Sequence, residues 1–211
     1  MKKSIVIVVI LAAVFTAFKS AEKESVVLNE EVKTNLNFVA DNVDVTASVL
    51  NWKGSKPLGT HSGTVTLKSG NLELKNGALK GGVFVVDLTS IKNLDMAGTD
   101  GAEKIEGHLK SADFFDVEKY PTATFTITKV KKEGTKLAVT GNLQIKDVTK
   151  SITIPAMIAT ENGVTVFKSE VFNINRTDFN VRYGSKSFFD NLKDKFIDDM
   201  MEMSFVVKTK A

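Results

Sequence analysis

The chain has 211 residues, no cysteine, and 28 basic against 25 acidic side chains, a formal charge of +3. Three of the basic residues, Lys2, Lys3 and Lys19, precede the first acidic one, so the rest of the chain is balanced. It carries no basic surplus for a nucleic-acid partner, and without cysteine it has no disulfide framework and no cysteine-linked lipid anchor.

In chain order, Lys2 and Lys3 lead into an apolar run from Ile5 to Phe18. The run is too short to cross ~30 Å of hydrocarbon comfortably and fits a secretory signal peptide of residues 1–20, cleaved near Ser20 or Ala21. Residues 21–42 are weakly patterned and read as a short N-terminal segment. The remainder, 43–211, is long enough for one well-cored domain.

From Val43 onward the hydrophobic period is two. Val65 and Leu67, Leu72 and Leu74, Ala123, Phe125 and Ile127, and Leu137, Val139, Leu143 and Ile145 alternate with polar or small residues. Ile152 and Ile154, Val164 and Val166, Phe172 and Ile174, and Met201, Met203, Phe205 and Val207 continue the pattern. Such alternation sets one apolar and one polar face on each strand. Turn signals separate the runs at Ser69-Gly70-Asn71, Asn76-Gly77, Glu133-Gly134, Lys146-Asp147 and Asn162-Gly163. The expected fold is all-β: an up-and-down antiparallel barrel of about eight strands, closed so that no edge is left exposed.

Two segments break the period. In Thr99–Ala112, residues Ile105, Leu109 and Ala112 recur at i, i+4 and i+7, which predicts a short amphipathic helix capped by Thr99 or Asp100. In Ser187–Phe196, Phe188, Leu192 and Phe196 fall at i, i+4 and i+8 and predict a second helix capped by Ser187.

Catalytic constellations are weak. The two histidines, His61 and His108, have Ser62 and Ser111 nearby in sequence, but no strand–turn–helix elbow surrounds either serine. A metal site formed by His108, Asp113 and a distant His61 lacks the usual ligand set for zinc. Asp95, Asp100 and Glu103 lack the spacing of a calcium loop. No catalytic residue, metal or cofactor is assigned.

Fourteen phenylalanines, with adjacent pairs at Phe114-Phe115 and Phe188-Phe189, are more informative. Adjacent residues on a strand or helix do not share a face, so such a pair belongs at a junction between layers. It serves there either as a plug at the barrel end or as the lining of an apolar cavity.

The stretch Gly107-His108-Leu109-Lys110-Ser111, followed by Asp113-Phe114-Phe115-Asp116 and Tyr120-Pro121-Thr122-Ala123-Thr124-Phe125, resembles the signature of the YceI family of lipid-binding proteins. Trp52 with Gly54 and His61-Ser62-Gly63 resemble that family's first hairpin. Residues 141–150 and 175–184 resemble two further blocks, with Asn175 where an acid is common. The resemblance spans about residues 43–209. It implies a lipocalin-like barrel, exported to the periplasm or secreted, that holds a polyisoprenoid, isoprenoid quinone or fatty-acid derivative. The departures at Asn175 and in the SFFDNL segment leave the head-group open.

On this reading Arg176, His108 and Tyr183 are head-group candidates, and Trp52, Phe84, Phe114, Phe115, Phe125 and Phe179 are candidate apolar lining. Arg176 with Asp178 has an alternative role as a structural ion pair. The expected partner is a long-chain lipid, and transient membrane contact and a dimer are compatible with it. The competing readings are an exported structural or stress-protective barrel whose lumen is filled by side chains, and a hydrolase built around His61 or His108.

Overall fold

A computed structural model describes residues 42–211; the expected signal peptide and nearly all of the N-terminal segment lie outside the described residues. The strands are β1 (Val43–Lys56), β2 (Gly59–Lys75), β3 (Ala78–Asn93), β4 (Thr122–Glu133), β5 (Lys136–Ile145), β6 (Val148–Glu161), β7 (Val164–Ser169), β8 (Phe172–Asn175) and β9 (Met200–Thr209). All pairings are antiparallel and mostly sequential, and β9 returns to pair with β1. The short β7 and β8 follow one another along the same edge of β9, so the nine strands make the eight staves of a closed up-and-down barrel.

Tight turns set the register where the sequence placed them. Asn76-Gly77 and Asn162-Gly163 both have positive φ at the two central residues, the backbone that matches strand twist in a two-residue hairpin. Lys146 also adopts positive φ between β5 and β6.

Ser69-Gly70-Asn71 is not a turn: β2 runs straight through it, with a bulge between Leu67 and Ser69. Gly70 answers a packing need instead. A Cβ there would lie 3.1 Å from both the Phe84 ring and Val43, so glycine allows the Phe84 ring to lie close across the strand pair. On β7 the inward face is Thr165 and Phe167, 3 % and 1 % exposed, rather than Val164 and Val166. Phe167 outweighs the two valines because it fits between Phe84 and Phe205, at ring-centroid distances of 6.0 and 4.9 Å.

The helix α1 (Asp100–Lys110) forms as expected, with the Thr99 hydroxyl accepting from the Ala102 amide. It departs from the expectation at its end: the helix stops at Lys110 and Ala112 is exposed. Glu106 ties it to β3, accepting from the Asn93 amide at 3.0 Å and the Lys92 ammonium at 2.9 Å.

The second expected helix is absent. Ser187–Phe196 is a run of turns containing only a 3-10 turn at Lys193–Lys195. Asn191 and Lys193 sit at positive φ, which a right-handed helix cannot accommodate. Ser187 bonds Asp199 rather than capping a helix.

The two ends of the barrel differ in how the ring is closed. At the end holding the 76–77 and 162–163 turns, β1 and β2 separate near Val43. That seam is drawn shut by the Asn42 side chain, which donates to the Leu72 carbonyl and accepts from its amide, both at 2.9 Å. At the opposite end two seams are held apart. β3 and β4 pair only over Val83–Asp87 and Thr122–Thr126, and the chain between them, with α1, fills the gap. β6 and β7 pair only from Ala156 to Glu161, and the chain beyond β8, beginning with a 3-10 turn at Arg176–Phe179, occupies the other.

Candidate functional site

The wider half of the barrel contains a cavity of about 320 Å³. Its walls are inward residues of nearly every strand, among them Leu50, Leu67, Leu88, Leu143, Ile152 and Met203. Phe84, Phe125, Phe167 and Phe205 also line it. The buried Val43, Leu72, Leu79, Ile127, Val139 and Ala156 belong to the other half and do not border it.

Close strand approach makes room for the large rings. Gly63 faces Trp52 across the β1–β2 pair, and a Cβ at Gly63 would lie 2.8 Å from the indole. Gly141 likewise lies directly under the Phe125 ring. Glycine thus trades strand propensity for a flat bed on which an aromatic ring rests.

Polar groups are confined to one end. Lys53, Ser55 and Lys56 at the end of β1, His61 on β2, His108 on α1, Arg176 and Asp198 all border the cavity there. Lys53 is paired with Glu202 at 2.8 Å.

Of the nine residues singled out from the sequence, Trp52, Phe84, His108, Phe114, Phe115, Phe125 and Arg176 border the cavity; Phe179 and Tyr183 do not. Phe179 is buried in the core behind it. Tyr183 is 45 % exposed and packs edge-on against the His108 ring at 4.6 Å, closing an outer layer with Phe114. The two phenylalanine pairs part company: Phe114 and Phe115 are buried, while Phe188 and Phe189 are about half exposed.

Arg176 is 1 % exposed and fully occupied by the protein. Its Nε donates to the Asp198 carbonyl (3.1 Å), Nη1 to the Val181 carbonyl (2.8 Å), and Nη2 to the Ile197 carbonyl (3.0 Å) and Asp199 Oδ1 (3.3 Å). Its acidic partner is Asp199, not Asp178. The reason is local: Arg176 and Asp178 share a short 3-10 turn, whereas the returning chain brings Asp199 alongside. Burial pushes the Arg176 pKa down, and Asp199 and Asp198 oppose that shift.

His61 contributes a feature that the sequence reading left as a local contact. Its Nδ1 lies 2.9 Å from Asp95 Oδ2, and Asp95 Oδ1 accepts from the Ser62 amide (2.7 Å) and the Asn93 side chain (2.6 Å). Partial burial raises the Asp95 pKa, but the bonds from Ser62, His61 and Asn93 outweigh it and hold the carboxyl below its usual range. His108 faces Asp113 at 3.4 Å. Ser111 donates its hydroxyl to the His108 carbonyl and caps the helix end, and the imidazole plays no part in that bond. Among the described residues neither imidazole has a hydroxyl partner, and no three acidic or histidine side chains are grouped as metal ligands.

The YceI-like domain family model matches residues 24–209. Proteins named YceI from Salmonella arizonae and Salmonella newport are 48 % identical over 66 residues, 31 % of this chain and 34 % of theirs. The matched segment thus spans about a third of the length of these relatives. Among solved structures, BcnA of Burkholderia cenocepacia superposes with a TM-score of 0.65 at 22 % identity, covering 80 % of this chain and all of that one. A polyisoprenoid-binding domain from Saccharophagus degradans superposes at 0.62 with 20 % identity, covering 82 % and 99 %. At these identities the structural likeness establishes the barrel fold. With the family model matched over nearly all of its length, the chain belongs to the YceI-like domain family.

Proposed function

We propose that the protein is a lipid carrier or store: it binds the chain of a long amphiphile, of the polyisoprenoid, isoprenoid-quinone or fatty-acid class, in the barrel lumen and leaves the head-group at the polar end. The observation that carries this reading is the asymmetric cavity, apolar along its walls and polar only at one rim. The polyisoprenoid-binding description of the Saccharophagus neighbour supports the same ligand class.

Magnitudes set a lower limit on chain length. Each buried CH₂ contributes ~0.8 kcal/mol, while association costs about 4–15 kcal/mol. Roughly ten buried carbons are therefore needed before binding becomes useful, which favours long chains over small apolar solutes. Of the residues chosen from sequence, Trp52, Phe84, Phe114, Phe115 and Phe125 serve as apolar wall, and His108 and Tyr183 as a polar-aromatic rim. Arg176 holds the rim together. No reaction is assigned, because the cavity lacks an activated nucleophile among the described residues. The N-terminal apolar run supports export, with the periplasm as the place of action.

Native mass spectrometry of detergent-free protein, followed by solvent extraction, tests this directly. A stoichiometric long-chain lipid is expected. Protein that is empty, and stays empty after incubation with polyprenols, quinones and fatty acids, would move the weight to a structural barrel.

A further inference from the structure

The two imidazoles at the rim are not equivalent. His108 is packed by Phe114 and Tyr183, with its Nε2 facing Asp113. His61 also borders the cavity, but Asp95 holds only its Nδ1 edge, and among the described residues Nε2 has no hydrogen-bond partner.

Asp95 fixes the tautomer. Its Oδ1 already receives two hydrogen bonds, and it remains a carboxylate, so the group facing it must be Nδ1–H. The neutral ring then carries its lone pair on Nε2. In that tautomer the ring edge away from Asp95 is an acceptor.

The cations of the rim are mostly spent. Lys53 is matched by Glu202 and Arg176 by Asp199, and Asp198 adds a further carboxylate. Lys56 is the one lining cation with no acidic partner among the described residues. A phosphate or diphosphate head would be desolvated there with one ammonium to meet it, and a carboxylate would face the Nε2 lone pair.

We infer that His61, oriented by Asp95, reads the ligand's head-group by accepting a hydrogen bond from a hydroxyl, so that the site selects long-chain alcohols or quinols over their acid and phosphate counterparts. This rests on the lipid-carrier reading and adds head-group chemistry to it.

Three ligands with one tail separate the two ideas: geranylgeraniol, geranylgeranoic acid and geranylgeranyl diphosphate. Binding is followed by quenching of Trp52, the only tryptophan, and checked by calorimetry. The alcohol is expected to bind at least ~10-fold more tightly than either anion, the scale of one well-placed hydrogen bond. His61→Leu should lose about that factor for the alcohol and nothing for the anions. His61→Gln, which keeps an acceptor, should retain most of it. Asp95→Asn releases the tautomer and should narrow the gap between alcohol and acid. Equal affinity for the three heads in the unmodified protein, or an unaffected His61→Leu, overturns the inference and leaves the carrier reading standing. If none of the three binds, both fall.

Discussion

The closed half and the cavity half of this barrel are built from the same alternating strands, yet only one is hollow. In the closed half Val43, Leu72, Leu79, Ile127, Val139 and Ala156 are buried, and the seam between β1 and β2 is zipped by Asn42. In the other half the inward residues are no smaller: Leu50, Trp52, Leu88 and Leu143 stand there. The void follows from backbone, not from small side chains. Two interstrand seams are wedged by α1 and by the segment after β8, which enlarges the ring beyond what its side chains fill. Stability resides mainly where packing is complete, and capacity where it is not.

That division can be broken at its most costly point. Arg176 organises the wedge after β8, and Arg176→Met would strip the donor from three carbonyls, that of Val181 buried and those of Ile197 and Asp198 partly so, and from Asp199. Removing one partner of such a buried network costs ~3–5 kcal/mol. Hydrogen exchange is expected to show rapid loss of protection over residues 176–199 while β4 and β5 keep theirs. Uniform loss along the whole barrel would mean that the two halves are one cooperative unit.

A pair of substitutions sharpens the comparison at smaller cost. Ala123 borders the cavity, and Ala123→Leu places three extra carbons in it. Displacing three ligand carbons at ~0.8 kcal/mol each weakens lipid binding by roughly 50-fold, with the melting temperature unchanged or higher. Val139, fully buried in the closed half, should behave oppositely. Val139→Ala is expected to cost ~2 kcal/mol of stability and leave affinity intact. Denaturant titrations of the lipid-free proteins, set beside lipid titrations, separate the two effects.

How much of this was legible from the sequence follows from the range of the interactions involved. Strand alternation and the two Asn-Gly hairpins are local signals, and the barrel followed from them. The helix at Asp100–Lys110 was legible because cap and periodicity agree over a few residues. Ser187–Phe196 has helical spacing too, but Asp190, Asn191 and Asp194 favour turns, and Arg176 recruits the Ile197 and Asp198 carbonyls into its own network. Gly70 looks like a turn residue until the Phe84 ring is placed beside it. The pairing of His61 with Asp95 spans 34 positions, and no periodicity announces it. Local chemistry specifies the staves, whereas the rim is assembled from distant segments.

Acid offers the mildest test of the same division. Glu106, which fastens α1 to β3, has its pKa lowered by the Asn93 amide and by Lys92, against a smaller opposing effect of burial. Asp95, beside it, is lowered as well. Both carboxyls bind protons more weakly in the folded than in the unfolded protein. Their stabilisation is therefore complete above the ordinary carboxylate range near pH 4 and is lost as pH falls through the lowered folded values. Asp44, at the closed end, is also lowered, by bonds from Thr46 and Ala47, but it organises an exposed bulge at the barrel surface. Between pH 6 and pH 3, amide exchange in α1 should accelerate first and bound lipid should become exchangeable, while the closed-half portions of β4 and β5, around Ile127 and Val139, remain protected. Simultaneous loss in α1 and β5 would show that the helix is no separable gate, and that the cavity is held open by the barrel as a whole.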